Sequence, residues 1–172
     1  MDLSKIDLKQ YQDVLDKYSD DPTVTYAVSV LTGKKLAGNL IKMASLRQLM
    51  DLQRQWTDDD FPYEYQPERA ERIINFASLL RDLQTNEPFV LSPYQEFIVS
   101  LLEAWVDPRT KGAKRFDRGI ISMSRSNGKT NTMSVLALYN FLFGQPAHNR
   151  QLAVASADQS HANALYGYMR SQ

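Results

Sequence analysis

Seven consecutive residues, Ser124-Arg125-Ser126-Asn127-Gly128-Lys129-Thr130, place a glycine, a lysine and a hydroxyl in an order that can hold a phosphate. Each type has a physical reason to be there. Gly128 has no Cβ, so a phosphate can approach the main chain at that point. Backbone N–H groups of Ser126, Asn127 and the residues after them can then point at its oxygens, aided by the positive end of a following helix. Lys129 can reach β- and γ-phosphates, and the Thr130 hydroxyl can ligate Mg²⁺. The chemistry implied is binding of a nucleoside triphosphate with Mg²⁺. The competing reading is purely structural: Ser126 or Asn127 caps a helix and Lys129 is a solvated lysine. One position departs from the usual pattern of such loops, because Met123 stands where a first glycine is common.

A phosphate loop works only between a strand and a helix, and the flanking sequence offers both. Residues 119–123 form a short apolar run suited to a buried strand. Residues 128–143 read as an apolar-rich helix ended by Gly144 and Pro146. A second strand is expected at 151–155 and a last helix at 158–170. Strand, helix and strand in that order make a βαβ unit with parallel strands. Upstream, the spacing predicts helices over residues 3–18, 24–31, 39–56 and 67–83, with Leu40, Met43, Leu46, Leu49 and Met50 on one stripe of the third. Residues 57–67 read as a polar linker, Ser92-Pro93 opens a helix through about Val106, and residues 107–118 read as a charged loop or hairpin. The fold class expected is α/β: an N-terminal helical region over 1–87, then the first βαβ unit of a P-loop NTPase over 88–172. Met43, Met50 and the Phe141, Leu142, Phe143 cluster are expected to pack in the interior.

Composition narrows the classes. The 172 residues are 43% hydrophobic and 23% charged, ordinary values for a globular chain. There is no apolar run long enough to cross a membrane and no apolar leader segment near the start. Without cysteines there can be no disulfide or thiolate metal site, and two histidines leave little for a His-based one. Formal charge is zero overall but uneven: residues 1–92 carry net −4 and residues 93–172 net +4. That asymmetry suits a phosphate or nucleic-acid partner in the second half. Arg109, Lys111, Lys114, Arg115 and Arg118 could touch DNA phosphates or could be a solvated loop. Asp58, Asp59 and Asp60 resemble a metal site on paper but read better as a solvent-facing loop.

The departure at Met123 is informative. A loop without the first glycine, but with an arginine three residues before Gly-Lys-Thr, resembles the large terminase subunit of tailed bacteriophages. The similarity extends to YAVSVLTGKKLAGNLIKMASLRQLMDL at 26–52, to FVLSPYQEFIVSLLEAWV at 89–106, and to QLAVASADQSHANA at 151–164. The resemblance implies an ATP-driven motor that packages double-stranded viral DNA, with ATP and Mg²⁺ as cofactors. It implies a homo-oligomeric ring on a portal protein, a small terminase subunit as partner, and a place at the procapsid portal in the host cytoplasm. It makes Arg125 a phosphate-contacting or sensing residue beside Lys129 in catalysis. It also makes Tyr94 and Gln95, within Pro93-Tyr94-Gln95, contacts to adenine. A glutamine can read N6 and N7 together, which suits ATP. Ser92 and Gln95 also form a capping box, a reading that needs no ligand, and Ser156 with Gln159 repeats it.

A P-loop ATPase also needs an aspartate at the end of an apolar strand and a glutamate that activates water. The sequence holds no Asp-Glu pair, and the carboxylate cluster of a nuclease is missing as well. The expectation is therefore the front part of a longer enzyme, inactive as a piece. Two alternatives stand beside it: a non-catalytic helical docking module with an inert, degenerate loop, and a helicase-like P-loop ATPase fragment.

Overall fold

The computed structural model describes residues 6–82, 85–124, 127–145, 148–155 and 159–172, apart from the side chains of Gln159, Ser160, His161, Ala162 and Ala164. The chain forms two compact units. Unit 1 comprises Met1–Ala70 and Pro93–Arg118, and unit 2 comprises Glu71–Ser92 and Gly119–Gln172.

Unit 1 begins with a 3-10 turn that leads into α1 (Gln12–Lys17), followed by α2 (Pro22–Leu31) and α3 (Asn39–Thr57). Asp21 sets the start of α2. Its Oδ1 accepts from the Thr23 N–H at 2.8 Å and the Val24 N–H at 3.3 Å, while Pro22 occupies a position that needs no amide partner. The helix ends just before Gly33, which takes φ 76°, a conformation that favours glycine. Val24, Ala27 and Val30 bury one stripe of α2, and Leu46, Leu49 and Leu52 bury one stripe of α3. Each fully buried Val or Leu removes enough apolar surface from water to contribute about 1.5–3 kcal/mol.

The expected stripe of α3 needs correcting. Leu46 and Leu49 are buried, but Leu40, Met43 and Met50 are 81%, 56% and 43% exposed. The interior side also takes Ser45, Gln48 and Asp51, and the last two find partners there, so polar residues displace part of the apolar set. Gln48 shows how. Its amide donates to Thr23 Oγ1 at 2.9 Å and its carbonyl accepts from Trp105 Nε1 at 2.9 Å. Tyr65 extends the same chain by donating to Asp21 Oδ2 at 2.9 Å. Burial and the Asp21 carboxylate together hold the Tyr65 phenol well above its ordinary titration range.

Trp105 and Tyr65 lie on a small antiparallel sheet. β1 (Glu64–Tyr65) pairs with β2 (Trp105–Asp107), which pairs with β3 (Ala113–Lys114). Tyr65 faces Trp105 in register, and Val106 faces Lys114. β1 lies in the stretch expected to be a linker, and β2 overlaps the expected end of a helix. That helix, α5 (Pro93–Ala104), stops at Ala104 and the chain continues extended. Of the loop or hairpin expected over 107–118, the structure has the hairpin: it turns at Lys111 and Gly112, with φ 55° and 76°.

Unit 2 holds most of α4 (Pro67–Leu79), together with α6 (Lys129–Phe143) and α7 (Gln159–Arg170). Ile73, Phe76, Ala77 and Leu80 are buried, as are Val135, Leu136, Tyr139, Tyr168 and Met169. Phe76 meets Tyr139 edge-on at 5.6 Å, and the Tyr168 hydroxyl donates to the Arg81 carbonyl at 3.1 Å. The C-terminal turn of α6 is held from outside. Arg150 Nη1 donates to the carbonyls of Phe141, at 2.9 Å, and Leu142. Phe141, Leu142 and Phe143 are 44%, 49% and 57% exposed, against the expectation of an interior cluster. Phe143 still touches Phe76 and Tyr139, so the cluster sits at the rim of the unit's core.

The α/β class holds, but the parallel βαβ sheet is not formed. Residues 119–124 and 151–155 carry no strand, and the only sheet among the described residues is antiparallel. Ile120 is 99% exposed. The reason is energetic: a parallel pair is slightly weaker per residue than an antiparallel one, and such sheets are stable when helices cover both faces. Here neither segment has strand neighbours.

Candidate functional site

The phosphate-loop residues fall in unit 2, where α6 positions them. Gly128 is the N-cap of this helix, with φ 65° and ψ 20°. Its carbonyl accepts from both the backbone N–H and the hydroxyl of Thr132 at 3.0 Å. Ser134 bonds back to the Thr130 carbonyl at 2.9 Å. Thr132, Ser134, Val135 and Leu136 are buried, so one side of α6 is fixed in the unit while its first turn stays in solvent. Lys129 and Thr130 lie on that exposed turn, and Asn127 beside it is exposed, with its amide donating to the Ser124 hydroxyl.

The first amides of an α-helix have no intrahelical acceptor, and the helix dipole favours an anion there. A left-handed residue followed by right-handed ones turns successive N–H groups toward a common point, the geometry of an anion nest. An exposed ammonium at Lys129 and an exposed hydroxyl at Thr130 stand at the same turn. These donors fit the phosphate groups of a nucleotide, and the Thr130 hydroxyl is chemically suited to a Mg²⁺ ligand. Arg125 and Ser126 lie outside the described residues, as does the side chain of Gln159.

Tyr94 and Gln95 belong to unit 1, in the first turn of α5. Tyr94 is half-buried against that unit's core, and Gln95 is 5% exposed. Nearby, Tyr26 of α2 packs on Phe97 with ring centroids 4.8 Å apart. An open cavity of about 630 Å³ lies here, lined by Asp20, Thr25, Tyr26, Lys34, Lys35 and Glu96 among others. Burial raises the Glu96 carboxyl above its usual range. No sequence motif points to this cavity, because its walls come from α2, the turn after it and α5.

The basic cluster of 109–118 resolves into individual fates. Arg115 Nη1 pairs with Asp51 at 2.8 Å, and its guanidinium lies 4.7 Å from the Tyr63 ring and 5.3 Å from that of Trp105. It is an internal tie. Lys114 pairs with buried Glu103 at 2.9 Å, and Arg109 with Asp107 at 2.8 Å. Lys111 and Arg118 are exposed and form no ion pair among the described residues. A DNA-contacting patch built on all five cations is therefore not what the hairpin presents. The Asp58–Asp60 loop behaves as expected of a solvent-side turn. Asp58 accepts from Arg54 at 2.8 Å, a bond that lowers its pKa, and no cluster of metal-ligating side chains occurs among the described residues. No described helix is long and apolar enough to cross a membrane.

No curated protein and no solved structure matches the chain. Residues 93–172 match the family described as terminase large subunit, ATPase domain. The matched segment contains the α5 turn with Tyr94 and Gln95, the loop before α6, and α6 itself. From Pro93 to Gln172 the chain is thus similar to the ATPase domain of terminase large subunits.

Proposed function

We propose that this chain is the N-terminal portion of a viral terminase large subunit, an ATP-driven motor that moves double-stranded DNA into procapsids. The observation that carries the reading is the family match over residues 93–172, with Gly128-Lys129-Thr130 at the solvent-facing start of α6 inside it. In this reading the first-turn amides of α6 cradle the phosphates and Lys129 neutralises charge that develops on the γ-phosphoryl group. Thr130 holds Mg²⁺, and Arg125, Ser126 and Asn127 line the approach. A Mg²⁺ held by Thr130 would supply charge neutralisation to the phosphates. Tyr94 and Gln95 take the adenine. The aspartate and glutamate that complete the chemistry lie outside residues 1–172, as does any nuclease domain. Residues 119–123 and 151–155 become the parallel strands flanking α6 once the rest of that sheet supplies their neighbours. Residues 1–87 act as the helical region ahead of the motor. The assembled subunits ring the portal in the host cytoplasm, with the small subunit as the DNA-recognising partner.

ATP turnover by the full-length protein tests this. Lys129→Ala removes a preorganised charge at the reacting group, and losses of about 100-fold or more are typical of such removals. Undiminished hydrolysis by that variant would end the assignment of the loop.

A further inference from the structure

Unit 1 presents a surface that the nucleotide chemistry does not use. α3 has two sides. Ser45, Leu49 and Leu52 lie in the interior, and on the opposite side Leu40, Met43, Arg47 and Met50 follow one another at intervals of three, four and three residues. Leu36, just ahead of the helix, is fully exposed. At 1.5 Å per residue the seam from Leu40 to Met50 is about 15 Å long. The three-four repeat is the spacing by which one helix meets another along a narrow line.

Charge is segregated over the same stretch. No acidic residue occurs between Asp21 and Asp51, whereas Lys34, Lys35, Lys42 and Arg47 all fall there, within a half of the chain that is otherwise acidic. Lys34 and Lys35 also line the open cavity beside Tyr26 and Pro93.

We propose that this side of α3 docks an amphipathic helix of another protein, one whose apolar seam is flanked by Asp or Glu. The apolar residues favour a protein partner over duplex DNA, since phosphate contacts need cations and polar donors and leave Leu36, Leu40 and Met43 without a role. A lipid surface is disfavoured by the charge within the line. An interfacial helix sinks an uninterrupted apolar face into the headgroups, and here Arg47 stands between Met43 and Met50 while the far side of the helix is locked into the core.

The test pans a displayed library of helical peptides, randomised at the seam and flanking positions, against the chain. The expected result is enrichment of peptides with Leu, Met or Phe at helical spacing flanked by Asp and Glu. Their binding should fall at least tenfold with Leu40→Ser/Met43→Ser and, separately, with Lys34→Glu/Arg47→Glu. All four side chains are at least partly in solvent, so circular dichroism should stay at the parent level, and the second pair serves if the first does not fold. Failure to enrich, enrichment of basic or non-helical sequences, or insensitivity to both variant pairs would overturn the proposal. So would either of two further outcomes. One is binding of a 20-base-pair DNA duplex that is lost with Lys34→Glu/Arg47→Glu but indifferent to Leu40→Ser/Met43→Ser. The other is self-association that the same serine pair abolishes, which would make the seam a contact between copies.

Discussion

Gln48 is the sharpest point at which to perturb unit 1. It is 1% exposed, and its side-chain amide joins α2 to β2 through bonds of 2.9 Å to Thr23 and from Trp105. Gln48→Leu keeps the volume nearly constant and removes both bonds. The Thr23 hydroxyl still has Asp21 as acceptor, so its loss is small. The Trp105 N–H is different, because it is left in a dry interior without a partner. Leaving such a donor unsatisfied costs about 1–3 kcal/mol, and the lost bonds themselves about 1 kcal/mol each net. A destabilisation of about 2–3 kcal/mol is expected, offset in part by the more apolar side chain. The assay is urea denaturation followed by far-ultraviolet circular dichroism, run as a double-mutant cycle with Trp105→Phe. Phenylalanine keeps an aromatic ring beside Tyr65 and Phe61 but has no N–H to strand. In that background Gln48→Leu should cost about 1 kcal/mol less. Sites that do not interact are additive within about 0.3–0.5 kcal/mol. An equal cost in both backgrounds would refute the idea that the Trp105 N–H is what Gln48 serves.

Three other expectations can be checked on the same protein. Asp51, 5% exposed, holds Arg115 at 2.8 Å, so Asp51→Asn strands a guanidinium among aromatic rings. A loss of about 3 kcal/mol is expected from urea melts, and a loss below about 1 kcal/mol would show the pair to be dispensable. A Cβ added at Gly144 would sit 2.4 Å from the Asn140 carbonyl oxygen. Gly144→Ala should therefore destabilise by about 1–3 kcal/mol and speed amide exchange in the last turn of α6; unchanged exchange there would contradict the geometry. Burial raises the Glu96 carboxyl, so the folded state holds that proton more tightly than the unfolded chain, and stability falls as pH rises above the ordinary glutamate value of about 4.3. Glu96→Gln should raise Tm at pH 7 and leave it unchanged near pH 3.5; the same shift at both values would exclude charge burial as the cause.

How much of this was legible in the sequence depends on how local the cause is. The Gly128-Lys129-Thr130 triplet is readable because its chemistry needs only neighbours and a helix start. α2, α5 and α6 are readable because Gly33, Pro93 and Gly144 mark their ends. The Asp21-Pro22 pair was an available start signal for α2, two residues earlier than periodicity alone suggests. Periodicity also shows that α3 is amphipathic, but not which part of a wide stripe faces inward. That choice is made by Gln48 and Asp51 finding partners at Trp105 and Arg115, far along the chain. β1, β2 and β3 have two or three residues each and carry no alternation to read. The failure at 119–123 and 151–155 is of another kind. Those runs have strand composition, yet a strand exists only with a neighbour, and no residue pattern within a segment reports whether one is present.

The division of the chain has a consequence for synthesis. Unit 1 is discontinuous in sequence: Met1–Ala70 is completed by Pro93–Arg118, and the central strand of its sheet arrives only with Trp105. A nascent chain emerging from the ribosome at about 5–20 residues per second would therefore expose α1, α2 and α3 for some seconds before α5 and β2 could cover them. During that interval Leu46, Leu49 and Leu52 have only part of their final surroundings, and Gln48 has Thr23 but not Trp105. Contacts of long sequence separation, such as Asp51 to Arg115, close late and slow the search. The N-terminal helices are thus a waiting platform rather than an autonomous first folder, and their stability is decided by residues made after them.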